Sequence, residues 1–581
     1  MNNDYLVKKK PMYALFVFAL PIIIGNIFQQ TYTMADSAIV GRFVSEKALA
    51  AVGASYSLTN IFICVAIGGG IGASVIVSRY FGAKEYKKTK TAVYTALIAF
   101  TALSVLLGII GLVFSRLILI ALNTPSDVLD LAVDYLNIYF AGLPFLFMYN
   151  VLSAMFNALG KSKIPLYFLI FSSVFNVALD LLLVKNFSMG VTGVAWATLI
   201  AQGISVVLSF IVLVWEFKKL NIGRAKFFEK SELLPMAKIA FPSIIQQSTV
   251  SIGMMLVQSV VNGFGSEALA GYSAAIRVES LCIVPFNSIN NAVSSYTAQN
   301  LGAKNEKRVV EGYHAANILV AAFSLLLILL IEPFNGLIVS MFLGDDGTIT
   351  AMNTGCGYLS FMGWFFCFIG FKMAVDGLLR GAGDMKMFTV ANFVNLFIRV
   401  FVAMAFAPIF GLQMVWIAVP IGWFSNWIIS FLEYRTGKWK RIYKSHAAPF
   451  SKHRHRLIAL LSFRNQDVAM QQRPRLPRVG NNSLSILIIS TFAVTGSIFT
   501  ITMFHDGEQL GVLHLQGISS LSIGSSRLSS LACRHQQGHR CPTQKNIQFL
   551  HNHSKYVCKD TKKSPFSVYF LEYSLYFCPQ I

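Results

Sequence analysis

The sequence predicts an all-α integral membrane protein of twelve transmembrane helices in two parallel six-helix repeats, and three observations carry that reading. Hydrophobic residues make up 55% of the chain and charged ones 13%, with mean hydropathy +0.60, which is too apolar for a soluble globular domain. Long apolar stretches lie near 12–40, 51–79, 91–116, 131–157, 164–184, 191–215, 235–262, 269–298, 313–341, 351–379, 388–408 and 412–434, each supplying roughly the 20 residues a spanning helix needs. The third observation is a duplication. Ser45-Glu46-Lys47-Ala48-Leu49-Ala50 returns as Ser266-Glu267-Ala268-Leu269-Ala270, and Phe81-Gly82-Ala83-Lys84 returns as Leu301-Gly302-Ala303-Lys304. Ala19-Leu20-Pro21 pairs with Ala240-Phe241-Pro242, and Tyr135-Leu136 followed by Gly160 pairs with Tyr358-Leu359 followed by Gly383. Backbone inside a bilayer must satisfy its own hydrogen bonds, and long continuous runs rather than short alternating ones select helices over a barrel.

The first helix follows Lys8-Lys9-Lys10 without a small-residue cleavage site, so it is expected to stay in the mature chain. Pro21 interrupts its hydrogen-bond ladder early and predicts a bend, as does Pro242 in the seventh helix. Gln29, Tyr32, Thr33 and Asp36 follow at spacings of three and four, one face of a helix. Gly68, Gly69, Gly70 and Gly72 mark the second helix as a site of close packing. The fifth helix carries Asn176 and Asp180 on one face, and the sixth carries Thr198. A basic connector at 216–234 separates an N-terminal lobe, 1–215, from a C-terminal lobe, 235–436. That lobe holds Arg277 and Glu279 on the eighth helix, Lys372 and Asp376 on the tenth, and Arg399 on the eleventh. Lys372 and Asp376 are four apart, a spacing that pairs them.

Residues 437–581 form a divergent tail with no counterpart in either repeat. Ser483 to Phe504 is long enough for a possible thirteenth span, with a high hydroxyl content. Cys533, His535, His539 and Cys541 offer zinc-capable donors at a spacing that fits no standard zinc module, so no metal site is assigned there. The four cysteines of the helical core fall within apolar runs and imply no disulfide framework.

A formal charge of +22 raises the question of nucleic acid, and its placement answers it. Lys8 to Lys10, Arg79 to Lys90, Lys161 and Lys163, Lys218 to Lys230, Lys304 to Arg308, Arg380 with Lys386, and Arg435 to Lys444 occupy every second connection. The positive-inside rule then places the N-terminus, the connector and the end of the last core helix in the cytoplasm of a multi-pass cell-membrane protein. Six spans per half make the repeats parallel. No nucleic-acid partner is implied, no Walker A sequence provides for ATP, and no nucleophile, base or metal set shares one depth as an enzyme would require.

Carboxylates within hydrocarbon are the strongest functional signal available to a membrane chain. Asp36 lies six residues before Arg42 and Asp180 five before Lys185, which sets both roughly 7 to 9 Å below the outer surface at 1.5 Å per residue. With Asn176, Thr198 and Tyr32, these residues form an oxygen-rich set suited to a hard cation, and two neighbouring carboxylates also suit a shared proton. Carrying the repeat across sets Asp36 against Val257, Asn176 against Arg399 and Asp180 against Ala403. One lobe has the set and the other lacks it, which favours coupling over structural glue. In the C-terminal lobe Asp376 and Glu279, with Gln29 and Arg277, are the candidates for a substrate cavity.

The two repeats, the Ala48-Leu49-Ala50 and Gly82-Ala83-Lys84 positions with their echoes, and the Asp36, Asn176, Asp180, Thr198 set together resemble the multidrug and toxic compound extrusion (MATE) family, in its DinF-type or MepA-like bacterial and archaeal branch. The resemblance covers residues 10 to 440. It implies a V-shaped bundle that alternates between outward and inward openings, and binding of the coupling ion, Na+ or H+, by Asp36, Asn176, Asp180 and Thr198, with Tyr32 adjacent and Pro21 as the bend. The expected function is secondary active efflux of small organic cations or other drug-like substrates in exchange for sodium ions or protons, by a monomer in contact with membrane lipids and without a cofactor. The alternative is a lipid-linked oligosaccharide flippase of the same superfamily, for which Arg277, Lys372 and Arg399 are the cations available.

Overall fold

The computed structural model describes residues 4–122, 124–220, 222–343, 347–441 and three tail segments, 487–492, 498–505 and 508–516. Among these, twelve helices are long and apolar enough to cross a membrane. A short helix α1 (Tyr5–Lys8) precedes them. The first six are α2 (Pro11–Phe43), α3 (Glu46–Gly82), α4 (Tyr86–Ala121), α5 (Ser126–Ala158), α6 (Lys163–Leu181) and α7 (Gly190–Lys219). The second six are α8 (Lys230–Asn262), α9 (Ser266–Gly302), α10 (Glu306–Leu343), α11 (Ile349–Ala382), α12 (Met385–Phe410) and α13 (Gln413–Thr436).

The duplication read from the sequence recurs in element lengths and packing. Helices α2 and α8 both have 33 residues and α3 and α9 both have 37, so repeat ends fall at equivalent positions. Within each lobe the second helix packs on the fourth and the fifth on the sixth: α3 on α5 and α6 on α7, then α9 on α11 and α12 on α13. Between the lobes, α3 packs on α8, α9 on α2, and α3 crosses α9, which is the pattern of an approximate two-fold axis.

Helix ends explain the repeated Gly-Ala-Lys motif. Helices α3 and α9 both finish with the following lysine in left-handed backbone, φ 59° at Lys84 and 58° at Lys304. The amides of Glu85 and Asn305 reach back to the carbonyls of Tyr80 at 3.0 Å and Asn300 at 2.8 Å, which closes orphan carbonyls of the last turn. The glycine has a different task. A Cβ on Gly82 would sit 2.0 Å from the Gln299 carbonyl oxygen, and one on Gly302 would sit 2.1 Å from that of Arg79, so only two glycines let the two helix ends cross. Gly68 and Gly72 likewise let α3 approach the α8 backbone at Ile244 and Ala240.

This crossing lies at the basic end of the bundle, which is sealed. Arg79 of α3 donates to the Ala382 carbonyl at the end of α11 (3.3 Å), and Gln299 of α9 donates to the Ala158 carbonyl at the end of α5 (2.8 Å). Each lobe therefore reaches across to the final carbonyls of the other lobe's fourth helix, where the helix dipole is negative. Helix α1 adds a staple. Leu6 is fully buried, its carbonyl accepts from Asn300 and Arg308 of the C-terminal lobe, and Tyr5 and Leu6 lie against Gly160 of their own lobe.

Two boundaries differ from the sequence reading. Only residues 220–229 separate α7 from α8, because Glu216 to Lys219 and Lys230 to Leu234, polar enough to read as linker, continue the helices beyond their apolar runs. Where the candidate thirteenth span is described it is strand rather than helix: β1 (Leu487–Phe492), β2 (Ile498–His505) and β3 (Glu508–Gln516) form an antiparallel sheet in that order. Ile488, Ile489, Thr491, Ile498, Thr500 and Ile501 are β-branched, and that stiffness at the side-chain root favours a pleated strand. The cluster of Cys533, His535, His539 and Cys541 lies outside the described residues.

Candidate functional site in the N-terminal lobe

Three helices meet at the level of Asp180. Helix α6 packs on α2 and α7, and α2 touches α7. Asn176 and Asp180, one turn apart on α6, are buried to 1% and 0% exposure. Asn176 donates from Nδ2 to the Thr198 hydroxyl on α7 at 3.3 Å, which joins the fifth and sixth spanning helices as the spacing anticipates. The Asn176 carbonyl oxygen and the Ser173 hydroxyl, also enclosed, have no hydrogen-bond partner among the described residues. Buried polar atoms are nearly always satisfied, so an orphan acceptor one turn from a buried carboxylate fits a small cation.

Sequence reasoning missed Ser173. It lies three residues before Asn176 and seven before Asp180, on the same face, and the spacing was visible; serine in a spanning helix, however, more often bonds its own backbone than a ligand.

Local backbone sets the carboxylate's surroundings. Just after Asp180 the helix widens into one π turn over Leu182–Asn186, a local insertion that recurs at functional sites because it re-aims side chains without ending the helix. No sequence signal marks it. Beside it Val40, Ala48, Val184, Val191 and Val194 form a small apolar cluster. The Asp36 side chain lies outside the described residues; its helix reaches this cluster through Val40, four positions further on. Tyr32 is half-buried and close enough to Tyr139 and Tyr149 of α5 to interact with both. Gln29 is exposed and its carbonyl accepts from Thr33 at 2.9 Å. Pro21 is enclosed within a helix that runs through it from Pro11 to Phe43.

The C-terminal lobe handles its charges differently. Asp376 is fully buried and pairs with Lys372 at 3.1 Å, as their spacing requires, and accepts from Ser430 at 2.9 Å. Lys372 also donates to Asn392 (3.1 Å), and Asn426 donates to the same oxygen (3.2 Å), which links α11, α12 and α13. Glu279 is enclosed as well, accepting from Tyr358 at 2.6 Å with Arg399 nearby. Arg277 is exposed.

A duplicated twelve-helix bundle is the architecture of the repeat-built transporters. The MatE family model matches residues 21–182 and 242–405, one segment in each lobe. The chain is 30% identical over 428 residues to the probable multidrug resistance protein YpnP of Bacillus subtilis, covering 73% of this chain and 95% of that one. It is 24% identical over 419 residues to the multidrug export protein MepA of Staphylococcus aureus, covering 71% and 91%. Among solved structures, a MOP superfamily transporter from Pyrococcus furiosus superposes with a TM-score of 0.69 at 23% identity, over 76% of this chain and 99% of that one. The chain belongs to the MATE family.

Proposed function

We propose that this protein is a secondary active multidrug efflux transporter that exchanges sodium ions or protons for organic cations across the cytoplasmic membrane, with its basic end in the cytoplasm. The single observation that carries the coupling is the enclosed Asn176–Asp180–Thr198 cluster, with the orphan Asn176 and Ser173 oxygens beside it and no equivalent at Arg399 and Ala403 in the second lobe. The names of the MATE relatives, multidrug resistance and export proteins, support the cargo class.

In this reading an ion enters from the outer end and neutralises the Asp36–Asp180 region. The packing of α2 on α6 and α7 then changes, and the affinity for cargo held between the lobes falls; by reciprocity cargo also weakens the ion. The flippase alternative loses support because one of its three cations, Lys372, is paired with Asp376.

The test is efflux of a fluorescent organic cation from vesicles under a sodium gradient and a proton gradient imposed separately. Wild type is expected to respond to one of them, and Asp180→Asn to respond to neither while staying folded in membrane. Gradient-driven efflux by the Asp180→Asn protein at the wild-type rate would overturn the assignment.

A further inference from the structure

Helices α10 and α11 hold a carboxylate that the coupling scheme does not use. Glu332 is half-buried on α10. One oxygen accepts from the indole N–H of Trp364 at 2.6 Å, and the other from the Ser360 hydroxyl at 2.9 Å, which accepts in turn from the Asn335 amide at 2.8 Å. Two donors, one aimed at each oxygen, fit the acceptor-only, ionised carboxylate. Measured along the helices at 1.5 Å per residue, the pair lies about 16 Å from the outer end of α10 and about 22 Å from that of α11, within the spanning region.

Among the described residues no lysine, arginine or histidine forms an ion pair with Glu332, in contrast to Asp376 one helical stretch away. A net negative charge at this depth asks for a positive partner. Trp364 shows what kind. It is 61% exposed and spends its polar edge on Glu332, and no ring pair involving it is found among the described residues. A carboxylate on the indole N–H increases the electron density of the ring face, and a cation over tryptophan is the strongest pairing of its kind. The duplication again separates this feature from scaffold: any repeat offset that fits these helices sets Glu332 against the apolar stretch Ile109 to Leu112, and Trp364 against Ala141.

We infer that Glu332, Trp364 and Ser360 form a subsite for a lipophilic aromatic cation on the α10–α11 pair, separate from the coupling pocket in the other lobe. The carboxylate supplies the charge, the indole face the stacking surface, and Ser360 holds the carboxylate in place. The inference rests on the efflux reading for its cargo class, but binding can be read without transport.

The experiment is equilibrium binding of tetraphenylphosphonium to the full-length protein in lipid nanodiscs, run beside vesicle efflux of the same ion. Glu332→Gln is expected to weaken binding about tenfold and Trp364→Ala by a similar factor. Glu332→Asp should recover part of the loss. Thermal unfolding midpoints check that each variant is folded. Wild-type affinity in Glu332→Gln, or absence of binding to wild type, overturns the subsite. Glu332-dependent binding with no gradient-driven efflux supports the subsite and overturns the antiport reading instead.

Discussion

Asp384 shows how much one side chain departs from its repeat partner. Gly160-Lys161 in the first lobe becomes Gly383-Asp384 in the second. Lys161 forms an ion pair with buried Glu216, whereas Asp384, 2% exposed, faces Glu433 with only Lys438 to offset it. Burial first, and then the Glu433 charge, push the Asp384 carboxyl up to about 6. A raised acid binds its proton better folded than unfolded, so its contribution favours the fold at low pH and is lost as pH rises from 3.8 to about 6. The unfolding midpoint in nanodiscs is therefore expected to fall across that window, and Asp384→Asn to flatten this part of the profile; an unchanged profile in the variant would remove Asp384 as its origin. At this scale the sequence was informative about face: Asn176 meets Thr198 between α6 and α7. It was uninformative about environment. Spacing shows which residues share a face but not that Ser430 donates to Asp376 and Tyr358 to Glu279.

At the scale of elements, the repeated Gly-Ala-Lys motif is a helix terminator and a crossing point together, and the crossing makes a prediction. The Arg79–Ala382 and Gln299–Ala158 hydrogen bonds tie α3 to α11 and α9 to α5 across the lobes. Replacing Arg79 and Gln299 together by alanine removes both ties while leaving each helix intact. In a background without native core cysteines, a cysteine at Leu159, 1% exposed at this seal, should react several-fold faster with a membrane-impermeant thiol reagent from the basic side. Unchanged reactivity would mean that packing at Gly82 and Gly302 closes this end unaided. Helix existence and order were legible because twenty-residue apolar runs have few other physical solutions. The π turn after Asp180 and the strands in the tail were not. The first depends on one extra residue accommodated within an otherwise continuous helix, and the second on β-branched content that competes with length in the same stretch.

On the scale of the molecule, two six-helix lobes share an architecture and divide their polar chemistry. The first encloses Asn176 and Asp180 with Thr198 bonded to Asn176, while the second pairs Lys372 with Asp376 and leaves Glu332 without an ion pair among the described residues. The basic end is fastened by reciprocal ties and by α1, and on the exchange reading proposed above those ties must break during the cycle. An ion and a cargo that compete in this way must displace one another even without a gradient. The most direct test is to add an organic cation to the purified protein in nanodiscs and record release of protons in weak buffer, or of bound sodium-22. Wild type is expected to release one of the two on cargo binding, and Asp180→Asn to release neither. Equal release by the Asp180→Asn protein, or cargo binding to wild type that displaces no ion, would contradict exchange at the N-terminal pocket.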